Sequence, residues 1–160
     1  MPIDSRSFRK ALGQFATGVT VVTTRDAVGR PQGLTVSSFC SVSLEPPLVL
    51  VCLDQRSEVN PSLHSSRLFG VSVLAEDQES ASRRFAEAGE GKFAGLPLLT
   101  GASGVPLLPG ALVHLECRLT AALPGGDHTI YLGEVLSLAV SPGRPLLYHG
   151  SSYRQLDPGA

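Results

Sequence analysis

Apolar and polar positions change period several times along the chain, and each change marks an element. Phe8, Ala11, Leu12 and Phe15 recur at helical spacing, with Asp4 or Ser5 placed to cap the first turn and Gly18 where such a helix would stop. Val19–Thr24 is β-branched throughout and predicts a strand. Arg25–Gly33, which holds Asp26, Pro31 and two glycines, reads as a turn region. Leu34–Ser43 alternates imperfectly and is rich in hydroxyls, which predicts a strand with a polar face, broken by Pro46 and Pro47. Leu48–Leu53 is a continuous apolar run, short enough for a buried strand.

Asn60 followed by Pro61 has the form of an N-cap with proline at the first helical position, opening a short helix to about Ser66. Leu68–Leu74 predicts a strand. Glu76–Ala88 predicts an amphipathic helix with Ala81, Phe85 and Ala88 on one stripe and Gly89 as its stop. Gly91–Gly110 is rich in Gly, Pro and Leu and predicts a loop that packs on its own surface. Ala111–Leu123 and Thr129–Val140 read as strands turned by Gly125 and Gly126, and Pro145–Tyr148 begins a last short one. Strands and helices do not alternate regularly, so a doubly wound parallel sheet is disfavoured. A mainly β fold with peripheral helices, an antiparallel barrel, fits the order better.

Composition agrees with one domain over 1–160: 42% of residues are hydrophobic and 17% charged, unlike a disordered chain. The net charge of −1 shows no footprint for nucleic acid. The first ten residues carry charge but no apolar core of a signal peptide, and no apolar run approaches the roughly 18–20 residues needed to span a bilayer. No membrane and a cytoplasmic location are therefore expected. Cys40, Cys52 and Cys117 are odd in number and widely spaced, so they read as small buried hydrophobes and not as disulfides or metal ligands.

No G-x-G-x-x-G opens a helix after a strand, and no H-E-x-x-H or G-x-S-x-G occurs. Gly89, Gly91 and Lys92 resemble a phosphate loop faintly, but Phe93 stands where a P-loop needs Ser or Thr. Four polar segments remain. Thr35-Val36-Ser37-Ser38 sets hydroxyls in an apolar strand, where each costs roughly 1–3 kcal/mol if buried and unbonded. Either a ligand satisfies them or the strand is an edge with a solvated face. Gln55-Arg56-Ser57 is either a phosphate-holding turn or an ordinary polar one. Gly126-Asp127-His128 brings a histidine into a strand after a glycine turn, at a pocket rim or on a plain surface. His149-Gly150-Ser151-Ser152-Tyr153-Arg154 either closes a cleft or ties down the chain end.

Taken in order, these segments resemble the flavin reductase-like family, which includes the small reductase components of two-component flavin monooxygenases. The resemblance runs from Phe8 to about Leu156. It rests on Phe15-Ala16-Thr17-Gly18-Val19-Thr20-Val21-Val22-Thr23-Thr24, Gly33-Leu34-Thr35-Val36-Ser37-Ser38-Phe39 and Ser41-Val42-Ser43-Leu44-Glu45-Pro46-Pro47-Leu48-Val49-Leu50. Phe85-Ala86, Gly126-Asp127-His128 and the stretch from Pro145 to Tyr153 complete it. It implies an FMN-binding split β-barrel of antiparallel Greek-key topology, a homodimer with flavin near the interface, and reduction of FMN or FAD by NADH or NADPH. Reduced flavin would pass to a flavin-dependent monooxygenase. No metal is implied. Carried over by position, Thr35, Val36, Ser37 and Ser38 line the flavin ring and ribityl chain. Gln55, Arg56 and Ser57 lie near its phosphate end, and Arg84 or Phe85 touches its tail. His128 is the catalytic candidate and orients the nicotinamide, with Gly150, Ser151 and Tyr153 on the same side. Variation within the family at the Val36–Ser37 positions bears on the choice of FMN or FAD. The region 88–110 departs from the family pattern. Arg25, Arg30, Arg83 and Arg84 are all available to an NADP 2′-phosphate. The rival reading is a flavin- or haem-binding barrel that reduces nothing.

Overall fold

In the computed structural model, which describes residues 2–89 and 91–157, the first helix begins where Asp4 can cap it. Met1, Glu90 and residues 158–160 of the expected domain lie outside the described residues. The Asp4 carboxylate accepts the N–H groups of Arg6 (3.1 Å) and Ser7 (2.9 Å), and α1 runs Ser5–Leu12. It ends at Gly13, five residues before the expected stop, and buries none of its residues.

The strands follow as β1 (Thr17–Gly18), β2 (Thr20–Arg25), β3 (Pro31–Val36), β4 (Phe39–Leu44) and β5 (Pro47–Asp54). After α2 (Asn60–Ser66) comes β6 (Leu68–Val73), then α3 (Glu79–Ala86). The chain continues through β7 (Leu99–Thr100), β8 (Pro106–Leu107), β9 (Val113–Gly125), β10 (His128–Val140), β11 (Leu147–His149) and β12 (Ser152–Arg154). Seven strands form one antiparallel sheet in the order β3-β2-β6-β9-β10-β5-β4. Its two edge strands are consecutive in the chain and are joined only by Ser37 and Ser38. A link that short spans roughly 10 Å, so the sheet must curl until its edges approach. The predicted single strand Leu34–Ser43 is thus two strands on opposite edges, and the hydroxyl-rich pair is the corner between them.

Both faces of β2 are buried, which explains its unbroken β-branched run. Its threonine hydroxyls find carbonyls: Thr20 donates to Val36 (2.7 Å), Thr24 to Leu68 (2.7 Å) and Thr23 to Pro106. One core gathers Val22, Val51, Leu53, Leu63, Phe69 and Tyr131 between the sheet and α2. A second gathers Val19, Val21, Leu74, Phe85, Leu108 and Leu146 beneath α3 and the 91–110 segment. That segment is more than a loop resting on itself. It contains the β7–β8 pair and sends Val105, Leu107 and Leu108 into the interior.

Three smaller expectations shift. Val59, not Asn60, occupies the N-cap of α2. The Asn60 amide instead donates to the carbonyls of Asp54 (2.8 Å) and Gln55 (3.1 Å) and accepts from Tyr131 Oη (3.0 Å). In α3 the buried stripe is Ser82 and Phe85, while Ala88 lies exposed beyond its end. Of the cysteines only Cys117 is fully buried; its thiol is pushed up to about 12 by burial and by Glu116. Cys40 is exposed because β4 is an edge strand. No described helix is long and apolar enough to cross a membrane.

Candidate active site

The curl of the sheet and the fold of the 91–94 turn onto α3 leave a cavity of about 640 Å³. Its walls are β3 from Pro31 to Thr35, the Arg56–Val59 turn before α2, the last residues of α3 with the stretch after it to Gly89, and the turn bearing Lys92 and Phe93. Phe85 is fully buried and meets Phe93 edge-on, with ring centroids 4.9 Å apart. β3 comes so close here that a Cβ at Gly33 would lie 3.0 Å from the Phe93 ring. The Thr35 hydroxyl donates to the Ser82 carbonyl (2.6 Å) and so ties β3 to α3. Among the predicted residues, Thr35, Arg56, Ser57 and Phe85 share this cavity.

A second cluster sits where β5 and β10 end. Gly126, at φ +74°, and Asp127 make the two-residue turn of the β9–β10 hairpin, and His128 opens β10 opposite Asp54. Asp127 bonds His128 Nδ1 (2.7 Å), and that contact holds its carboxyl below the usual range. The Gln55 side chain donates to Gly126 (3.0 Å), and its N–H donates to Asp127 O (3.0 Å). Arg56 pairs with Asp54 at 2.7 Å, and its guanidinium lowers the Asp54 carboxyl strongly. Arg56 therefore links the histidine turn to the cavity rim.

A second hollow also borders α3, lined by Glu79, Arg83, Tyr148, Ser151 and Tyr153 among others. The Arg83 guanidinium stands 4.7 Å over the Tyr153 ring, and Tyr148 meets that ring edge-on at 5.2 Å. Tyr153 Oη shares a 2.8 Å hydrogen bond with Ser82 Oγ. Gly150 and Ser151 both have positive φ (58° and 64°) and make the tight β11–β12 turn, and Gly150 N–H donates to Gly13 O (2.8 Å).

The remaining predicted residues have local duties. Val36 is buried in the core and offers a ligand only its backbone. Ser37 and Ser38 are exposed at the corner, where Ser38 exchanges hydrogen bonds with Cys52 (2.8 and 3.2 Å). Arg84 donates to the carbonyls of Gly91 (3.3 Å) and Ala94 (2.5 Å), so it holds the turn that roofs the cavity. Arg25 is likewise engaged, by Gly104 and Gly29.

Sequence reasoning missed Ser82, which joins β3, α3 and β12, and set Lys92 aside, although Lys92 lines the cavity. A serine on the apolar face of an amphipathic helix was the available signal for the first.

The cavity volume falls in the range of roughly 300–1,000 Å³ typical of cofactor sites. An aromatic wall at one end and cationic side chains at another suit a planar ring that carries phosphate. Among the described residues no three His, Cys, Asp or Glu gather as metal ligands.

Residues 12–157 match the family described as flavin reductase like domain. The reductase subunit of a flavin-dependent monooxygenase from Rhodococcus jostii is 43% identical over 157 residues, covering 98% of this chain and 80% of that one. An FMN reductase (NADH) from Agrobacterium fabrum is 47% identical over 150 residues, covering 94% and 85%. The structure of an NADH:FAD oxidoreductase from Streptomyces globisporus, in complex with NAD and FAD fragments, matches with a TM-score of 0.92 at 41% identity. That match covers 100% of this chain and 99% of that one.

Proposed function

Because this chain belongs to the flavin reductase-like family, we propose that it is an NAD(P)H-dependent flavin reductase that supplies reduced FMN or FAD to a partner flavin-dependent monooxygenase. The observation that carries this reading is the coincidence of the family's motif residues Thr35 and Phe85, with Ser57 beside them, on one cofactor-sized cavity. The relatives are named as reductases, which favours reduction over storage of flavin or haem.

When bound, the nicotinamide supplies the hydride and the flavin accepts it. The chain's own residues bind, orient and exclude water. The stretch from Thr35 to Ser38 offers backbone N–H groups, the Ser37 hydroxyl and the acceptor oxygens of Thr35 and Ser38 to the flavin ring and ribityl chain. Phe85 and Phe93 form the dry wall behind them. Gln55, Arg56 and Ser57 lie toward the phosphate end. His128, held by Asp127, orients the nicotinamide carboxamide, and the Gly150–Tyr153 turn forms the far side of that site. Arg84 acts through the turn it holds.

The sheet's curl and its two-residue edge link support a split barrel of Greek-key topology. Exposed apolar side chains on α1, on β4 and on the second half of β10 support a homodimer, Leu44 and Leu138 being 91% and 64% exposed. Free thiols, with no described membrane-crossing helix, support a cytoplasmic location.

The test is NADH and NADPH oxidation by purified protein with and without FMN or FAD. Oxidation that rises with flavin and saturates is the expected result. Folded protein that oxidises neither nucleotide with either flavin overturns the proposal.

A further inference from the structure

We infer that Asn60 is a positioning residue: its side chain ties the 54–57 turn to the core, and through that turn it fixes the spacing between His128 and the large cavity. This rests on the reductase reading and deepens it.

The 54–57 turn touches both clusters of the site. Arg56 and Ser57 line the cavity. Gln55 holds the histidine turn twice, its side chain donating to Gly126 O (3.0 Å) and its backbone N–H to Asp127 O (3.0 Å). His128 itself lies opposite Asp54 in the β5–β10 pairing. Whatever fixes this turn therefore fixes the cavity rim and the histidine together.

Three carbonyls of the turn accept from Asn60. Its Nδ2 donates to Asp54 O (2.8 Å) and Gln55 O (3.1 Å), and its backbone N–H donates to Ser57 O (3.2 Å). Its Oδ1 accepts from Tyr131 Oη (3.0 Å), which also lies 3.2 Å from His64 Nε2. Tyr131 is fully buried and stands on β10, the strand that His128 opens. Asn60 thus bridges the buried middle of that strand to a turn whose Gln55 and Arg56 are exposed. Asn60 does not line the cavity, so it acts through the turn. The role needs an amide, which carries two donors and an acceptor on one short side chain. A carboxylate of the same shape keeps the acceptor and sets negative oxygen against two carbonyls. Asp is otherwise favoured at the first position of a helix, which Asn60 occupies in α2. Asn60→Asp therefore separates the amide's bonds from its shape and from helix preference. Hydride transfer is sensitive to such placement, since a shift of about 1 Å in a reacting pair can cost on the order of 100-fold.

The experiment measures kcat and KM for NADH and NADPH at saturating flavin in the native protein, Asn60→Asp, Tyr131→Phe, His128→Ala and the double variant of Asn60→Asp with His128→Ala. In folded protein Asn60→Asp is expected to lower kcat/KM about tenfold or more, and Tyr131→Phe, which keeps the buried ring, about threefold. If Asn60 positions His128, their effects are coupled, and the double variant falls well short of the product of the two single losses. A structural loss unrelated to the histidine would multiply with it. Native kcat/KM in Asn60→Asp, or effects that multiply, overturns the inference. Native kcat/KM in Tyr131→Phe overturns it even where Asn60→Asp does not fold. Native protein that reduces no flavin at all contradicts the functional reading instead.

Discussion

Phe85 shows how a residue can serve core and site together. It is fully buried, and its ring also backs the cavity. Phe85→Ala should cost about 3–5 kcal/mol, the usual range for emptying a buried aromatic site, read as a lower urea midpoint. Flavin affinity should fall with it. His128 is a different case, half-exposed and hydrogen-bonded through Nδ1 to its neighbour Asp127. His128→Ala should leave stability unchanged and raise the nicotinamide KM more than the flavin KM; equal weakening of both, or no effect, removes its orienting role. The positions of Phe85 and His128 in the fold were readable because a helical stripe and a glycine turn announce them. The partners of Thr35 and Arg84 were not. Thr35's hydroxyl goes to the Ser82 carbonyl, and Arg84's guanidinium goes to two carbonyls of the turn. Backbone acceptors leave no trace in residue identity.

Among the elements, the 101–103 turn of the 91–110 segment is held by one carboxylate. Glu116, on β9, is buried and accepts from Ala102 N–H (3.0 Å), Ser103 N–H (2.6 Å) and Ser103 Oγ (2.5 Å). Gly101 packs so tightly on it that a Cβ would stand 2.4 Å from its carboxyl carbon. Burial pushes this carboxyl up, but the Ser103 hydroxyl and the two N–H groups together bring it below its ordinary 4.5. A carboxyl lowered in the folded state stabilises above its unfolded pKa, and the contribution is lost as pH falls through the folded value. Glu116→Gln should therefore cost about 1–3 kcal/mol near neutral pH, because one acceptor becomes a donor facing N–H groups. It should also flatten the loss of stability on acidification below pH 4.5. Urea melts across pH check both, and parallel pH profiles for the two proteins would contradict the clamp. Nothing in the sequence connects Glu116 to residues 102–103, which is why this segment read as a loop. The division of Leu34–Ser43 at Ser37 was hidden for a related reason. Period-two alternation gives a strand its faces but not its partners, and β3 and β4 lie on opposite edges.

For the whole molecule, the exposed Phe8 and Leu12 on α1 and Leu136, Leu138 and Val140 on β10 motivate the proposed homodimer. Light scattering should give the mass of two chains, and Leu138→Asp should shift the protein toward one. A monomeric native protein would remove the homodimer. That the fold is mainly β and antiparallel was legible, because β-branched runs, glycine turns and the absence of regular β–α alternation all point to an antiparallel sheet. The closeness of its edges required the topology.

A flavin reductase must bring nicotinamide and flavin together for hydride transfer. The most direct measurement is anaerobic mixing of the native protein and excess NADH with oxidised FMN or FAD, followed by the flavin's visible absorbance. Bleaching far faster than without protein, with one NADH consumed per flavin reduced, is the predicted result. Flavin that stays oxidised in the presence of folded protein and either NADH or NADPH would contradict the account.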